Sequence, residues 1–262
     1  MRKLLAPSAI LATLAAFAAP AKAETLLVSL STHRVAIASN YTGAQLAAFA
    51  VIERDARTMA RSGPYDAVIT VRGPREDVVV QEKRQTFGVW VNQRQRFMAG
   101  VPGFLSVLAS RPLQDIIEPE RAQRLNLGLL PAMIAAQRKD GAAVGPDSAR
   151  DAEFRVSLVR IRYESGLYNE KERGVTFLTP TVFQAQIALP ATAPLGNYEV
   201  DIALFGDGVP LARQTTNFEV VKVGFEQLIA DAARQRPWTY GIFAAALSIL
   251  FGWLSSIAFR KD

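Results

Sequence analysis

Three patterns of apolar residues run along this chain: one short apolar stretch near its start, many segments of alternating polarity, and one long uncharged stretch near its end. The alternating segments dominate. Residues 25–30, 34–39, 44–52, 66–72, 77–83 and 87–92, the last carrying Trp90, are short, rich in Val, Ile, Phe and Thr, and separated by turn residues such as Gly73-Pro74. That spacing predicts the strands of a sandwich rather than βαβ units. Later, residues 182–189 alternate at Phe183, Ala185, Ile187 and Leu189, and residues 197–204 at Tyr198, Val200, Ile202 and Leu204. A turn at Gly206-Asp207-Gly208 leads to residues 214–221, alternating at Thr216, Phe218 and Val220. One apolar face per strand is what a half-buried antiparallel sheet presents.

Between these blocks the character changes. Residues 113–134 tolerate helix but are interrupted by Pro119, Gly128 and Pro131, and 138–148 is a polar linker containing glycine. Residues 149–166 make the best soluble helix, with Phe154, Leu158 and Ile161 on one face and a stop at Gly166. The expected fold is mainly β: an immunoglobulin-like sandwich, as one large domain or two lobes, with a helical insertion and one C-terminal transmembrane helix.

The two remaining apolar stretches place the chain. Met1-Arg2-Lys3, the apolar run from Leu4 to Ala19, and Ala21-Lys22-Ala23 before Glu24 have the three-part form of a secretory signal, with cleavage expected between Ala23 and Glu24. Residues 238–259 hold no charge, and as a helix would reach about 33 Å, enough to cross a hydrocarbon layer. A soluble core helix of that length would show a polar stripe, and this one has none. Trp238 and Tyr240 suit the outer interface, and Arg260 and Lys261 suit a cytoplasmic stop.

The resulting division is a signal peptide at 1–23, a periplasmic β-rich domain at 24–236, a span at 237–259 and a cytoplasmic tail at 260–262. The domain divides into a β block at 24–112, the insertion at 113–170, a second β block at 171–223 and a juxtamembrane helix at 224–236. Within the span, Gly241, Ala245, Ser248, Gly252 and Ser256 line one face with small side chains, which lets a second helix approach closely. That makes them a candidate contact face, although small residues are common in spans without a partner.

Charge and composition mainly exclude. The leader carries three of the 30 Lys and Arg, leaving 27 bases against 24 acids, a balance of +3. Spread so evenly, that charge argues against nucleic acid as a partner. The absence of cysteine removes disulfides, thiol catalysis and Cys metal sites. The single histidine, His33, lacks a second His or Cys to share a metal, and no Gly-x-Ser-x-Gly turn accompanies it, so a surface role is the simpler reading.

Asp140, Asp147, Asp151 and Glu153 could form a calcium site or a carboxylate pair, but their spacing matches no calcium loop. Capping of the helix that starts near Ala149 accounts for them. Arg94 to Arg96, with Lys83 and Arg84 nearby, suit either an anionic ligand or headgroups, or simply a solvated strand face. No catalytic, metal or cofactor constellation emerges, and a non-enzymatic protein without cofactors is expected.

Taken in order, several landmarks are familiar as a set. Arg72-Gly73-Pro74 leads through Asp77-Val78-Val79-Val80 to Gly88-Val89-Trp90-Val91-Asn92. Val101-Pro102-Gly103-Phe104 and Ser110-Arg111-Pro112-Leu113 follow, then Gly166-Leu167-Tyr168 and Gly174-Val175-Thr176-Phe177-Leu178. Lys222-Val223-Gly224-Phe225-Glu226 leads on to Gly252-Trp253-Leu254. Together they resemble the Alph_Pro_TM family of uncharacterised bacterial single-span proteins over nearly the whole mature chain.

The resemblance implies a bacterial inner membrane, supplies no site residues, and points to a sulfite-exporter-type permease as neighbour. The expected function is a binding or scaffold module, or an accessory subunit of a membrane transporter. The alternatives are an envelope stress or assembly factor acting by protein contacts, with self-association, and a carboxylate-based periplasmic hydrolase.

Overall fold

A computed structural model describes residues 24–37, 43–54, 63–139, 149–222, 233–234 and 237–258. The signal segment and its Ala23, the acids Asp140 and Asp147, most of 224–236, and Arg260 and Lys261 lie outside the described residues.

Strands from both β blocks interleave. β1 (Glu24–Leu30), β3 (Ala44–Arg54), β10 (Val182–Leu189) and β9 (Val175–Thr179) make a four-stranded antiparallel sheet in that order. The six-stranded sheet runs β2 (Arg34–Ile37), β12 (Val209–Lys222), β11 (Gly196–Gly206), β4 (Tyr65–Arg72), β7 (Leu105–Ala109), β8 (Tyr168–Lys171). Its centre is antiparallel, but both edges are parallel: β2 beside β12 and β8 beside β7. Since β3 pairs with β10 and β11 with β4, the two β blocks build one sandwich.

Two cores flank the larger sheet. Ala67, Ile69 and Val71 of β4, with Tyr198, Val200, Ile202 and Leu204 of β11, face the smaller sheet, where they meet Leu46, Ala48, Ala50, Phe183 and Ile187. The alternate residues Val68, Ala203 and Phe205, with Leu105 and Val107, face a helical layer. That layer comprises α1 (Leu113–Ile116), α2 (Pro119–Arg124), α3 (Leu129–Lys139) and α4 (Ala149–Glu164). Its elements stop where the sequence expects: Pro119 opens α2, Gly128 in a left-handed conformation precedes α3, and Gly166, also left-handed, follows α4. In α4, Leu158 is buried and Phe154 packs at the core's edge. Ile161, expected on the same face, is instead half exposed beside Val80, because the buried stripe runs through Arg155 and Leu158.

β5 (Arg75–Thr86) and β6 (Val89–Pro102) form a long hairpin outside both sheets. It continues the β4–β7 pair through a bend. The Gly73 N–H donates to the Phe104 carbonyl at 2.8 Å and the Gly103 N–H to that of Pro74 at 2.7 Å, so the ladder carries through the corner. Phe87-Gly88, expected to open a strand over 87–92, is instead the two-residue turn of this hairpin, with positive φ at both positions. The hairpin base is fixed to the helical layer. Arg162 of α4 is ion-paired with Glu76, Arg96 with Asp151 at 3.0 Å, and the buried Tyr168 hydroxyl donates to the Pro102 carbonyl at 2.6 Å.

Two stability effects follow. A Cβ at Gly73 would stand 2.8 Å from the Phe104 Cβ, so Gly73→Ala is expected to cost about 1–3 kcal/mol, read by chemical denaturation in detergent. Burial pushes the Tyr168 phenol well above its ordinary value of 10.0. The fold holds the protonated hydroxyl, so this contribution is complete below about pH 10 and is lost as pH rises toward the folded value. Tyr168→Phe should lose about 1 kcal/mol at pH 7, leaving the Pro102 carbonyl unpaired, and should flatten the alkaline limb of the stability curve.

Candidate functional site

The most distinctive feature is α5 (Pro237–Ala258), 22 residues without a charge, begun by a proline at a position where no helical N–H is needed. In the stretch Pro237–Ser255 no residue is buried by the rest of the chain. Trp238 is 85% exposed, and Ile242, Phe243, Ile249, Phe251 and Trp253 stand out on different sides. A helix apolar all round needs an apolar surrounding, and the described residues offer none.

Its length of about 33 Å matches the hydrocarbon layer. Tyr240 is partly exposed near Trp238, at the same end. On the candidate contact face, a Cβ at Gly241 or Gly252 would meet nothing within 4 Å, so the face is open. Ser248 donates its hydroxyl to the Ala244 carbonyl at 2.9 Å, which satisfies it inside the helix. Ala245 lies on the same exposed side. Ser256 is helical in backbone, and its side chain is outside the described set.

The charged groups that drew notice in sequence are mostly engaged. Arg94 donates to Glu82 across the hairpin at 2.5 Å, which raises the guanidinium's pKa and lowers that of the carboxyl. Arg96 holds Asp151 in the first turn of α4. Glu153 is exposed. His33 is exposed between β1 and β2, where its carbonyl accepts the Glu219 N–H at 2.9 Å. No group of three His, Cys, Asp or Glu side chains able to hold a metal occurs among the described residues. Glu24, expected to open the mature chain, is the first residue of β1. It is buried, and its carboxyl accepts the Tyr65 hydroxyl at 3.2 Å.

A carboxylate pair does exist, where sequence reasoning did not look. Glu199 and Asp201 of β11 flank Arg72 at 3.7 and 3.4 Å, and Arg213 closes on Asp201 from the other side, its Nε at 2.7 Å. The Asp201 hydrogen bond, more than the surrounding charge, raises the Arg213 pKa. Asp201 is 5% exposed and faces two guanidiniums. Glu199 lines a polar cleft of 430 Å³ together with Arg72, Arg75, Asn197 and Asn217, at the end of the sheet where the hairpin begins. Its donors and acceptors suit a polar group. A smaller hollow of 290 Å³ lies beside Leu26, Leu127, Phe205 and Arg213.

A β-sandwich joined to one uncovered apolar helix defines a class: membrane-anchored proteins whose folded domain stands outside the bilayer core. The family described as Putative transmembrane protein (Alph_Pro_TM) matches residues 25–261, and the chain belongs to that family. No curated protein matches it.

Breaking the Asp201 cluster should destabilise the domain without touching the membrane span. Asp201→Asn is expected to cost about 2 kcal/mol, because two arginines then face a neutral amide. The partly exposed Glu199→Gln should cost well under 1 kcal/mol. Denaturant titration of both variants in detergent checks the difference.

Proposed function

We propose that the protein is a non-enzymatic binding or scaffold module of the bacterial inner membrane, acting as an accessory subunit to a polytopic transporter. In this reading the signal sequence exports the sandwich to the periplasm, α5 halts transfer, and the C-terminus stays in the cytoplasm. The sandwich is taken as immunoglobulin-like, a framework that works by presenting surfaces. A sulfite-exporter-type permease is the partner of first choice.

The observation that carries the proposal is the open small-residue face of α5, with room for a second backbone at Gly241 and Gly252. Close helix approach of this kind supplies dispersion contacts that lipid chains cannot match. The charged cluster of the sandwich supports the same reading, since Glu199 and Asp201 offset the charges of Arg72 and Arg213.

Affinity purification of the tagged full-length protein from its native membrane in mild detergent tests this, against a matched chain carrying an unrelated span. A polytopic permease should co-purify with the native span alone, and Gly252→Leu should reduce its recovery roughly tenfold, the effect of losing one close helix contact. Recovery of untagged copies of the same chain in place of a permease would favour self-association and the assembly-factor reading. If neither the native nor the foreign span brings a partner, the accessory role fails.

A further inference from the structure

The tip of the β5–β6 hairpin is the most exposed apolar feature of the folded domain. Phe87 is 102% exposed and Trp90 65%, with Val89 and Val91 beside them. Phe87 holds φ at +51°, in the first position of a turn that favours Asn or Gly. A bulky aromatic there carries a conformational cost of about 1–2 kcal/mol and covers nothing among the described residues. A strained aromatic left exposed is the observation from which a role outside the fold can be argued.

Charge surrounds the tip in a defined way. Lys83 lies on the face shared with Gln85 and Trp90, and Arg84 on the opposite face with Val91, so a cation stands on each side of the ribbon. Among the described residues neither forms an ion pair, whereas Arg94 and Arg96, further down, do. Residues 83–92 contain no acid. Lys83 and Arg84 stand three to four residues behind Phe87, about 10–13 Å along the strand. A segment seated about 5–10 Å deep at the headgroup boundary would put cations at that setback among the headgroups.

The tip also lies within reach of the bilayer that holds α5. Arg72 pairs with Glu199 and Gly196 with Val220, while Pro74 packs against Gly196. The hairpin therefore leaves the sandwich at the end where β12 finishes at Lys222. From Arg75 to Phe87 the ribbon extends about 40 Å. The fourteen residues between Lys222 and Pro237 allow at most about 50 Å.

We propose that the hairpin tip, Phe87 to Val91, inserts into the interfacial layer of the membrane spanned by α5, with Lys83 and Arg84 on anionic headgroups. It is a second, reversible point of attachment that fixes the tilt of the sandwich over the bilayer. It rests on the membrane anchorage of the chain, not on the accessory role above, and the loss of a permease partner would leave it intact.

The chain has no cysteine, so one introduced thiol labels uniquely. Full-length Val89→Cys and Val209→Cys, the latter at the far end of the sandwich, carry an environment-sensitive fluorophore in nanodiscs. The discs are phosphatidylcholine alone or with phosphatidylglycerol as roughly a third of the lipid. Quenching by brominated lipid should be about threefold greater at position 89 than at 209, and greatest in the anionic discs. Lys83→Glu with Arg84→Glu should weaken docking on the anionic discs about fivefold per charge.

Phe87→Asn in the labelled chain should reduce quenching without lowering Tm, a separation that a purely structural role for Phe87 would not give. Equal quenching at 89 and 209 in both lipids, with both labels open to aqueous iodide, would overturn the proposal. So would a label at 89 shielded from iodide yet untouched by brominated lipid, the mark of a protein surface covering the tip.

Discussion

The burial of β4 on both faces is the constraint from which the rest of the architecture follows. Residues Tyr65 to Val71 are all buried, so this strand has no solvent side, and each of its faces must be covered by something apolar. The four-stranded sheet covers one face through Phe183, Ile187 and Leu46. The helical layer and the hairpin base cover the other through Met133, Leu158, Met98 and Val101. The insertion between the two β blocks is therefore part of the core rather than an ornament on a sandwich. Deleting it would strand Val68, Leu105, Val107 and Phe205 in water, each worth about 1.5–3 kcal/mol of lost burial for the larger side chains.

That constraint also explains how much of the fold was legible in the sequence. β10 has one apolar face and reads correctly, since Phe183, Ala185, Ile187 and Leu189 are the buried residues. β11 reads half correctly. Tyr198, Val200, Ile202 and Leu204 mark the first core, but the second face holds Glu199, Asp201, Ala203 and Phe205, and the acids disguise it as a solvent side. Only the arginines at 72 and 213, distant in sequence, make burial of Asp201 tolerable. The edge strand β2 falls within the strand expected at 34–39, whereas β8 is four residues long and pairs in parallel, so no turn signal announces it. The hairpin turn was missed for a related reason: Phe87-Gly88 lacks the Asn-Gly or Asp-Gly signature. The polar flank Gln85-Thr86 ahead of Val89-Trp90-Val91 was the available clue.

For the candidate site, local composition was decisive. A membrane helix is stabilised by its surroundings and its own backbone bonds, so a run of uncharged residues suffices to identify α5. The small-residue face is equally visible, because its spacing is local. The carboxylate cluster on β11 and the exposed tip are different in kind. Arg72 and Asp201 lie 129 positions apart, and the exposure of Phe87 depends on what fails to pack against it.

The same ion pairs that hide in sequence decide which part of the hairpin is rigid. Glu76 with Arg162, Arg96 with Asp151 and the Tyr168 hydroxyl on Pro102 all act on its lower half. Above Val80 and Met98 no described side chain of the hairpin is buried, so the upper half keeps its shape through the β5–β6 ladder and pairs such as Glu82 with Arg94. A ribbon clamped at its base and uncovered at its tip keeps its lower half, down to the bend at Gly73 and Gly103, fixed to the body of the domain. That bend sits against Phe104 and Tyr198, whose rings lie 5.7 Å apart inside the first core. The bend also adjoins the cleft lined by Arg72, Glu199 and Asn217. The Gly73-Pro74 corner therefore belongs both to the edge of the first core and to the rim of that cleft.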